Sequence, residues 1–151
     1  MGPSTLAIDI GGSHLKASVL AVDGRLVATP QHVVTPQPAT PERVLRALRR
    51  LAAHLPKFDR ISAGFPGAIR DGVVITAPHL GSGDWCGFPL AEALAKRLGK
   101  PARVLNDAEV QGFGVIEGRG LECVLTFGTG LGSAIFWHGR PAPHLELSQH
   151  P

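Results

Sequence analysis

Short apolar runs alternate along this chain with segments of helical periodicity. The runs are bounded by Gly, Pro, Asn or Asp and predict buried strands over residues 6–10, 60–65 and 102–105. Helical spacing and capping residues predict helices over residues 41–55, 89–98 and 107–117. Strands that alternate with helices in this way are typical of an α/β domain.

The beginning of the chain departs from a simple dinucleotide-binding topology. Residues 14–21 carry apolar side chains at alternate positions, and the Asp23-Gly24 turn predicts a hairpin with a further strand over residues 25–34. An opening meander of three antiparallel strands argues against a pure Rossmann fold. Near the other end, the sequence predicts a second strand–turn–strand unit over residues 123–138.

Composition limits the classes of partner. Hydrophobic residues make up 44% and charged residues 18% of the 151 positions, which is typical of a soluble globular protein. No run reaches the roughly 18 apolar residues of a membrane span. Tyr is absent and Phe and Trp number 6 and 2, which argues against a stacking surface for nucleic acid. Cys86 and Cys123 lack metal-ligand spacing, so a reduced cytoplasmic protein is expected.

Two glycine-rich turns connect predicted strands. In the first, which runs from Asp9 to Ser13, glycine amides could approach a phosphate while Ser13 and Lys16 add donors. Asp9 ends a buried strand and is suited to hold Mg²⁺ directly or through water. A plain hairpin turn with a capping aspartate is the alternative. The second turn spans residues 128–132, and since a strand rather than a helix follows it, dinucleotide binding is disfavoured.

A carboxylate follows the third buried strand. Asn106 and Asp107 stand between the strand over residues 102–105 and the next helix, and active sites of α/β sheets gather at such strand ends. Either residue could serve only as a helix N-cap. Alternatively, Asp107 could act as a general base for a substrate hydroxyl, which phosphoryl transfer requires besides positioning and charge neutralisation. Spacing alone leaves both interpretations open.

Five ordered motifs together resemble the ROK family of sugar kinases. They cover nearly the whole chain: the DIGGS stretch with Lys16, the G-x-P-G segment that ends at Gly67, the W-x-G-x-P-L stretch that begins at Trp85, the N-D-A triplet at Asn106, and TFGTGLGSA from Thr126. The last motif is nearest to the wording of polyphosphate glucokinases. One departure is Glu146-Leu147-Ser148-Gln149, where the family commonly reads E-x-G-H.

The resemblance implies a role for each matched residue. Asp107 would be the general base, and the sugar would be bound by Gly67, Asn106, Asp107 and Glu146. Asp9 would hold Mg²⁺. The donor phosphates would contact Asp9, Gly11, Gly12, Ser13, Lys16, Gly128, Thr129, Gly130 and Gly132. No zinc is expected, because the Cys-rich motif of many members would lie past residue 151 and polyphosphate-using relatives lack it.

The resemblance also implies an architecture and an activity. We expect an actin-like, ribonuclease-H-like α/β lobe with a mixed sheet over residues 1–117, and the beginning of a similar second lobe over residues 118–151. The expected activity is phosphoryl transfer from ATP or inorganic polyphosphate to the 6-hydroxyl of a hexose, with glucose foremost, by a homodimeric protein. The net charge of +3 and the arginine-bearing first helix favour polyphosphate over ATP as the donor, although a solvated face is the simpler interpretation of those arginines.

Two rival interpretations belong to other classes of protein. A transcriptional repressor on the same fold would carry a DNA-binding helical module before the first strand, and here that strand begins by Leu6. A truncated lobe that binds sugar weakly or only self-associates is the other rival. It would leave apolar faces of the last hairpin uncovered.

Overall fold

The computed structural model of the chain describes residues 2–81, 83–127 and 131–142. The described residues form three α-helices: α1 (Pro41–Ala52), α2 (Leu90–Leu98) and α3 (Asp107–Gly112). They also form ten strands: β1 (Thr5–Ile10), β2 (His14–Leu20), β3 (Gln31–Val34), β4 (Arg60–Phe65), β5 (Ile69–Arg70), β6 (Val73–Val74), β7 (Ala102–Asn106), β8 (Leu121–Phe127), β9 (Leu131–Trp137) and β10 (Arg140–Pro141). Within these residues, no helix is both long and apolar enough to cross a membrane.

A five-stranded mixed sheet organises most of the chain. Its strand order is β3-β2-β1-β4-β7. The meander β1-β2-β3 is antiparallel, whereas β4 and β7 run parallel to β1. Parallel neighbours require crossover connections, and α1 and α2 supply them. The mixed α/β sheet expected from the sequence is therefore confirmed.

One face of this sheet carries the main core. Alternate side chains of β1 and β2, such as Ile8 and Leu15, are buried there with the apolar stripe of α1 and with Leu90 and Leu94 of α2. Trp85 is fully buried in the same cluster, against Phe65, and its indole N–H donates to the Ala39 carbonyl at 2.7 Å. Burial without that bond would leave an unpaired donor, so the indole both fills and orders the core.

An ion pair joins the two helices on this face. The Arg97 guanidinium of α2 donates to both carboxylate oxygens of Glu42 on α1, at 2.6 and 3.3 Å. This hydrogen bonding holds the pKa of Glu42 below its usual value. Arg46 lies 3.6 Å from the same carboxylate, and Arg43 donates to the Gln37 carbonyl. These partners favour the solvated-face interpretation of the arginine-bearing helix over a polyanion track.

The opposite face of the sheet receives α3, which also packs on a second sheet. That sheet has the order β10-β9-β8. Gly112 of α3 lies so close to Phe136 of β9 that an added Cβ would come within 2.5 Å of the ring. Phe136 is fully buried with Ala108 and Ala134 in a small second core. The short helix is thus the element shared by both sheets.

Several predicted boundaries differ from the observed ones. The third strand begins at Gln31 rather than residue 25, and only an isolated bridge from Leu26 to Leu20 precedes it. Pro30 lacks the N–H that a continuous ladder needs. The last helix ends at Gly112 rather than near residue 117, since glycine is a poor helix former. The division of the chain into lobes at residue 117 stays a prediction.

Candidate active site

Three parallel strands end together at one edge of the main sheet. Asp9 of β1 is in register with Gly64 of β4, which is in register with Leu105 of β7. Because Ile8 and Ile10 are buried on the α1 face, Asp9 lies on the opposite face, which is the face that receives α3. A Cβ added to Gly64 would lie 3.5 Å from the Asp107 Cα. The structure therefore brings Asp9 and Asp107 to the same face, one strand apart.

Asn106 fixes the start of the helix that carries Asp107. It is the N-cap of α3, is 6% exposed, and its Oδ1 accepts the Ala108 amide at 2.8 Å. In return, the Asn106 amide donates to Glu109 Oε2 at 3.1 Å, which completes a capping box. Glu109 was missed in the sequence, although its position three residues after Asn106 is the spacing of such a box. The capping interpretation of Asn106 is confirmed, and it does not exclude contact with a substrate.

The Asn106 side chain also reaches the neighbouring loop. Its Nδ2 donates to the Gly67 carbonyl at 3.1 Å. Gly67 has no room for a side chain, because an added Cβ would collide with the Thr76 carbonyl. Thr76 Oγ1 in turn accepts the Ala68 amide at 3.0 Å. The loop that carries Gly67, a predicted sugar contact, is therefore held against the end of β7 by Asn106, which also caps α3.

The first glycine-rich turn is closed by a residue that the sequence did not single out. Thr35 is buried, donates its hydroxyl to the Gly11 carbonyl at 2.6 Å, and donates its amide to the Ser13 carbonyl at 2.9 Å. The Gly11 amide donates to the His14 carbonyl at 3.0 Å. The expectation that glycine amides here lie open to a phosphate therefore does not hold for Gly11. Gly12 and Ser13 are left to carry that prediction.

The Asp9 carboxylate pairs with the predicted phosphate-binding lysine. Asp9 Oδ2 lies 3.3 Å from Lys16 Nζ, and both side chains are more than half exposed. In the part of the chain that the structure describes, no group of three or more His, Cys, Asp or Glu residues could form a metal cage. Mg²⁺ in phosphoryl-transfer sites binds through one or two carboxylates together with substrate phosphates. A single exposed carboxylate at this strand end fits that mode of binding.

The second glycine-rich turn reaches the site through its last residue. Gly132 opens onto α3, where an added Cβ would lie 3.2 Å from the Ala108 Cβ and would collide with the Thr126 hydroxyl. Gly132 is thus adjacent to the helical turn that carries Asp107. Gly128, Thr129, Gly130 and Glu146 lie outside the described residues.

We predict that Asn106→Ala lowers the free energy of unfolding by about 2–4 kcal/mol, because it removes a helix cap and leaves the buried Gly67 carbonyl without its donor. Asn106→Ser is the matched variant. Serine keeps the cap but is too short to reach Gly67, so it should recover about 1 kcal/mol of that loss. Urea unfolding of the three proteins measures both quantities. A loss below about 0.5 kcal/mol for Asn106→Ala would contradict the bridging role.

The sequence matches known proteins over nearly its whole length. The profile of the ROK family matches residues 5–143. A polyphosphate glucokinase from Mycobacterium leprae (strain TN) is 34% identical in an alignment 150 residues long that spans 93% of this chain and 45% of that protein. The chain thus spans about half the length of this curated relative.

Solved structures extend the similarity to three dimensions. An inorganic polyphosphate/ATP-glucomannokinase from Arthrobacter sp. strain KM superposes with a TM-score of 0.88 at 32% identity, over 99% of this chain and 64% of that one. A ROK family glucokinase from Streptomyces griseus, in complex with glucose and AMPPNP, gives a TM-score of 0.80 at 28% identity, over 92% and 46% of the two chains. From its matching profile and the fold that it shares with these kinases, the chain belongs to the ROK family.

Proposed function

We propose that the chain is the catalytic-base lobe of a hexose kinase that transfers a phosphoryl group from ATP or inorganic polyphosphate to the 6-hydroxyl of glucose or a similar hexose. The observation that carries this proposal is the placement of Asp9 and Asp107 on the same face of one strand edge. The activities of the relatives support it, since they include a polyphosphate glucokinase and a polyphosphate/ATP-glucomannokinase. The second name also supports a sugar range wider than glucose.

Asp107 is the proposed general base. As the sugar hydroxyl oxygen attacks the terminal phosphorus, its proton passes to the Asp107 carboxylate, and the bond from phosphorus to the leaving phosphate oxygen breaks. The Ala108 amide donates to Asp107 Oδ1 at 2.8 Å, which limits the rotation of the carboxylate. Gly64 lies directly beneath it, where an added Cβ would be 3.5 Å from the Asp107 Cα. Such a fixed position is what a base within hydrogen-bond reach of a hydroxyl requires.

Charge on the donor would be neutralised from the β1 side of this edge. Asp9 would hold Mg²⁺ through its exposed carboxylate, and the ion would screen the donor phosphates. Lys16, which pairs with Asp9, and Gly12 and Ser13 in the turn before β2 would donate to the phosphates. Gly132 and the residues before it would approach the same phosphates from the second sheet, beside the first turn of α3.

The sugar would be bound on the Gly67 side of Asp107. Since one hydrogen of the Asn106 amide group already bonds to Gly67, a sugar hydroxyl would meet the other hydrogen. Glu146 remains a proposed sugar contact. Cys86 and Cys123 are both unpaired, which suits the reducing cytoplasm where we place this activity.

We predict that Asp107→Asn lowers kcat for glucose phosphorylation at least about hundredfold with either donor, because the amide cannot accept the hydroxyl proton. The measurement is sugar phosphate formation with ATP and, separately, with inorganic polyphosphate. Asp71→Asn is the control, because it makes the same carboxylate-to-amide change in a surface turn whose positive φ asparagine tolerates. Full activity of the folded Asp107→Asn variant would contradict the assignment of Asp107 as the base. If the unsubstituted chain shows no turnover with either donor, self-association without catalysis is favoured instead.

A second candidate function rests on the outer face of the β8–β9 hairpin. Leu121, Leu125 and Phe127 project from β8 on the face away from α3 and are exposed, Phe127 to 83%. Their cross-strand partners on β9 include Leu131 and Trp137, which are also exposed. A group of exposed large apolar side chains on one face of a hairpin is typical of a protein contact. We propose that two copies of the chain associate through it, in place of catalysis or together with it.

We predict that Leu125→Thr combined with Trp137→Thr shifts the chain from dimer to monomer, because it removes apolar contact area while threonine keeps the preference for strand structure. Sedimentation velocity over a range of concentrations measures the change. Val22→Thr, at an exposed apolar residue of the β2–β3 connection, is the control and should leave the dimer intact. A parent chain that is monomeric throughout would contradict self-association.

A further inference from the structure

The face of the main sheet that carries Asp9 continues onto the β2–β3 hairpin. Asp9 pairs across the strands with Lys16, and Lys16 pairs with His32. His14 lies two residues before Lys16 and therefore on the same face. Its ring contacts that of His32 edge to face, with centroids 6.1 Å apart. All three basic side chains are exposed.

These side chains border an open pocket of about 330 Å³. The pocket is lined by His14, Lys16, Pro30, Gln31 and His32. As far as the structure describes it, the lining holds three groups that can carry positive charge and no acidic one. Each imidazole can also donate an N–H, and Gln31 adds an amide. This chemistry favours an anion with several oxygen acceptors.

The pocket lies in line with the proposed site. Across the sheet, the order is Asp107 over Gly64, then Asp9, then Lys16, then His32. At about 4.8 Å between strands, His32 stands about 10 Å from the Asp9 position. A linear anion whose end reaches Asp107 could therefore extend past Lys16 into the pocket. The anion would then cross β1, β2 and β3 along one row of side chains, on a single face of the sheet.

We propose that this pocket is a second anion subsite that holds the distal phosphates of an inorganic polyphosphate donor. The proposal rests on the proposed function, because it takes the reacting end of the donor to lie between Asp9 and Asp107. ATP has only three phosphates and then a nucleoside, so it would gain little from the pocket. Polyphosphate continues as repeating anionic units and would occupy both parts of the row.

The test measures donor binding in the absence of sugar, so no turnover occurs. Isothermal titration calorimetry gives the dissociation constants of medium-length inorganic polyphosphate and, separately, of ATP. The unsubstituted chain is compared with the double variant His14→Gln, His32→Gln. Glutamine keeps side chains of similar size at two exposed strand positions, so the fold should be retained. His54→Gln makes the same kind of change at an exposed residue after α1 and is the control.

The double variant should weaken polyphosphate binding about tenfold or more, the equivalent of one lost charge-assisted hydrogen bond, while ATP binding changes less than about twofold. The control should bind both donors as the parent does. Unchanged polyphosphate binding in the double variant, an equal loss for ATP, or a parent chain that binds no polyphosphate would each overturn the subsite. Failure of sugar phosphorylation is a separate result, since this experiment needs no sugar and no turnover.

Discussion

The arrangement of the site depends on the buried side chain of Asn106. Its Oδ1 caps the helix that begins with Asp107, and its Nδ2 holds the Gly67 carbonyl of the neighbouring loop. One side chain therefore sets both the position of the proposed base and the distance to the proposed sugar loop. A buried polar group left unpaired is costly, so both hydrogen bonds of Asn106 must be kept. Together they allow few alternative positions for α3 or for the loop that carries Gly67.

Glycines around Asp107 make the close approach of these elements feasible. Gly64 lets α3 lie directly on β4, and Gly112 lets the same helix lie on Phe136 of the second sheet. Gly132 brings β9 against the first turn of α3. A Cβ at Gly112 or Gly132 would collide with a neighbouring side chain, whereas a Cβ at Gly64 would already be in van der Waals contact with Asp107. Besides forming the two glycine-rich turns, glycines therefore permit the close packing of α3 on both sheets.

The main strands and their ends could be predicted from the sequence because they depend on local pattern. Residues 60–65 form a mostly apolar segment that ends at Pro66-Gly67, and the observed strand has those bounds. The start of the third strand, after Asp23-Gly24, was predicted less accurately. Whether residues 25–30 form a strand depends on their hydrogen bonding with a neighbouring strand, which local sequence does not determine. The sequence also does not indicate that Thr35 closes the first glycine-rich turn. Thr35 lies in a proline-rich connection, and only the folded chain shows that its hydroxyl reaches Gly11.

The most direct test of the proposed active site is a crystal structure of the chain with glucose, Mg²⁺ and a non-hydrolysable ATP analogue. We expect the sugar 6-hydroxyl within hydrogen-bond distance of the Asp107 carboxylate, the metal ion beside Asp9, and phosphate oxygens over residues 12–13. Glucose bound away from Asp107, with phosphates that do not approach the ends of β1 and β7, would contradict it.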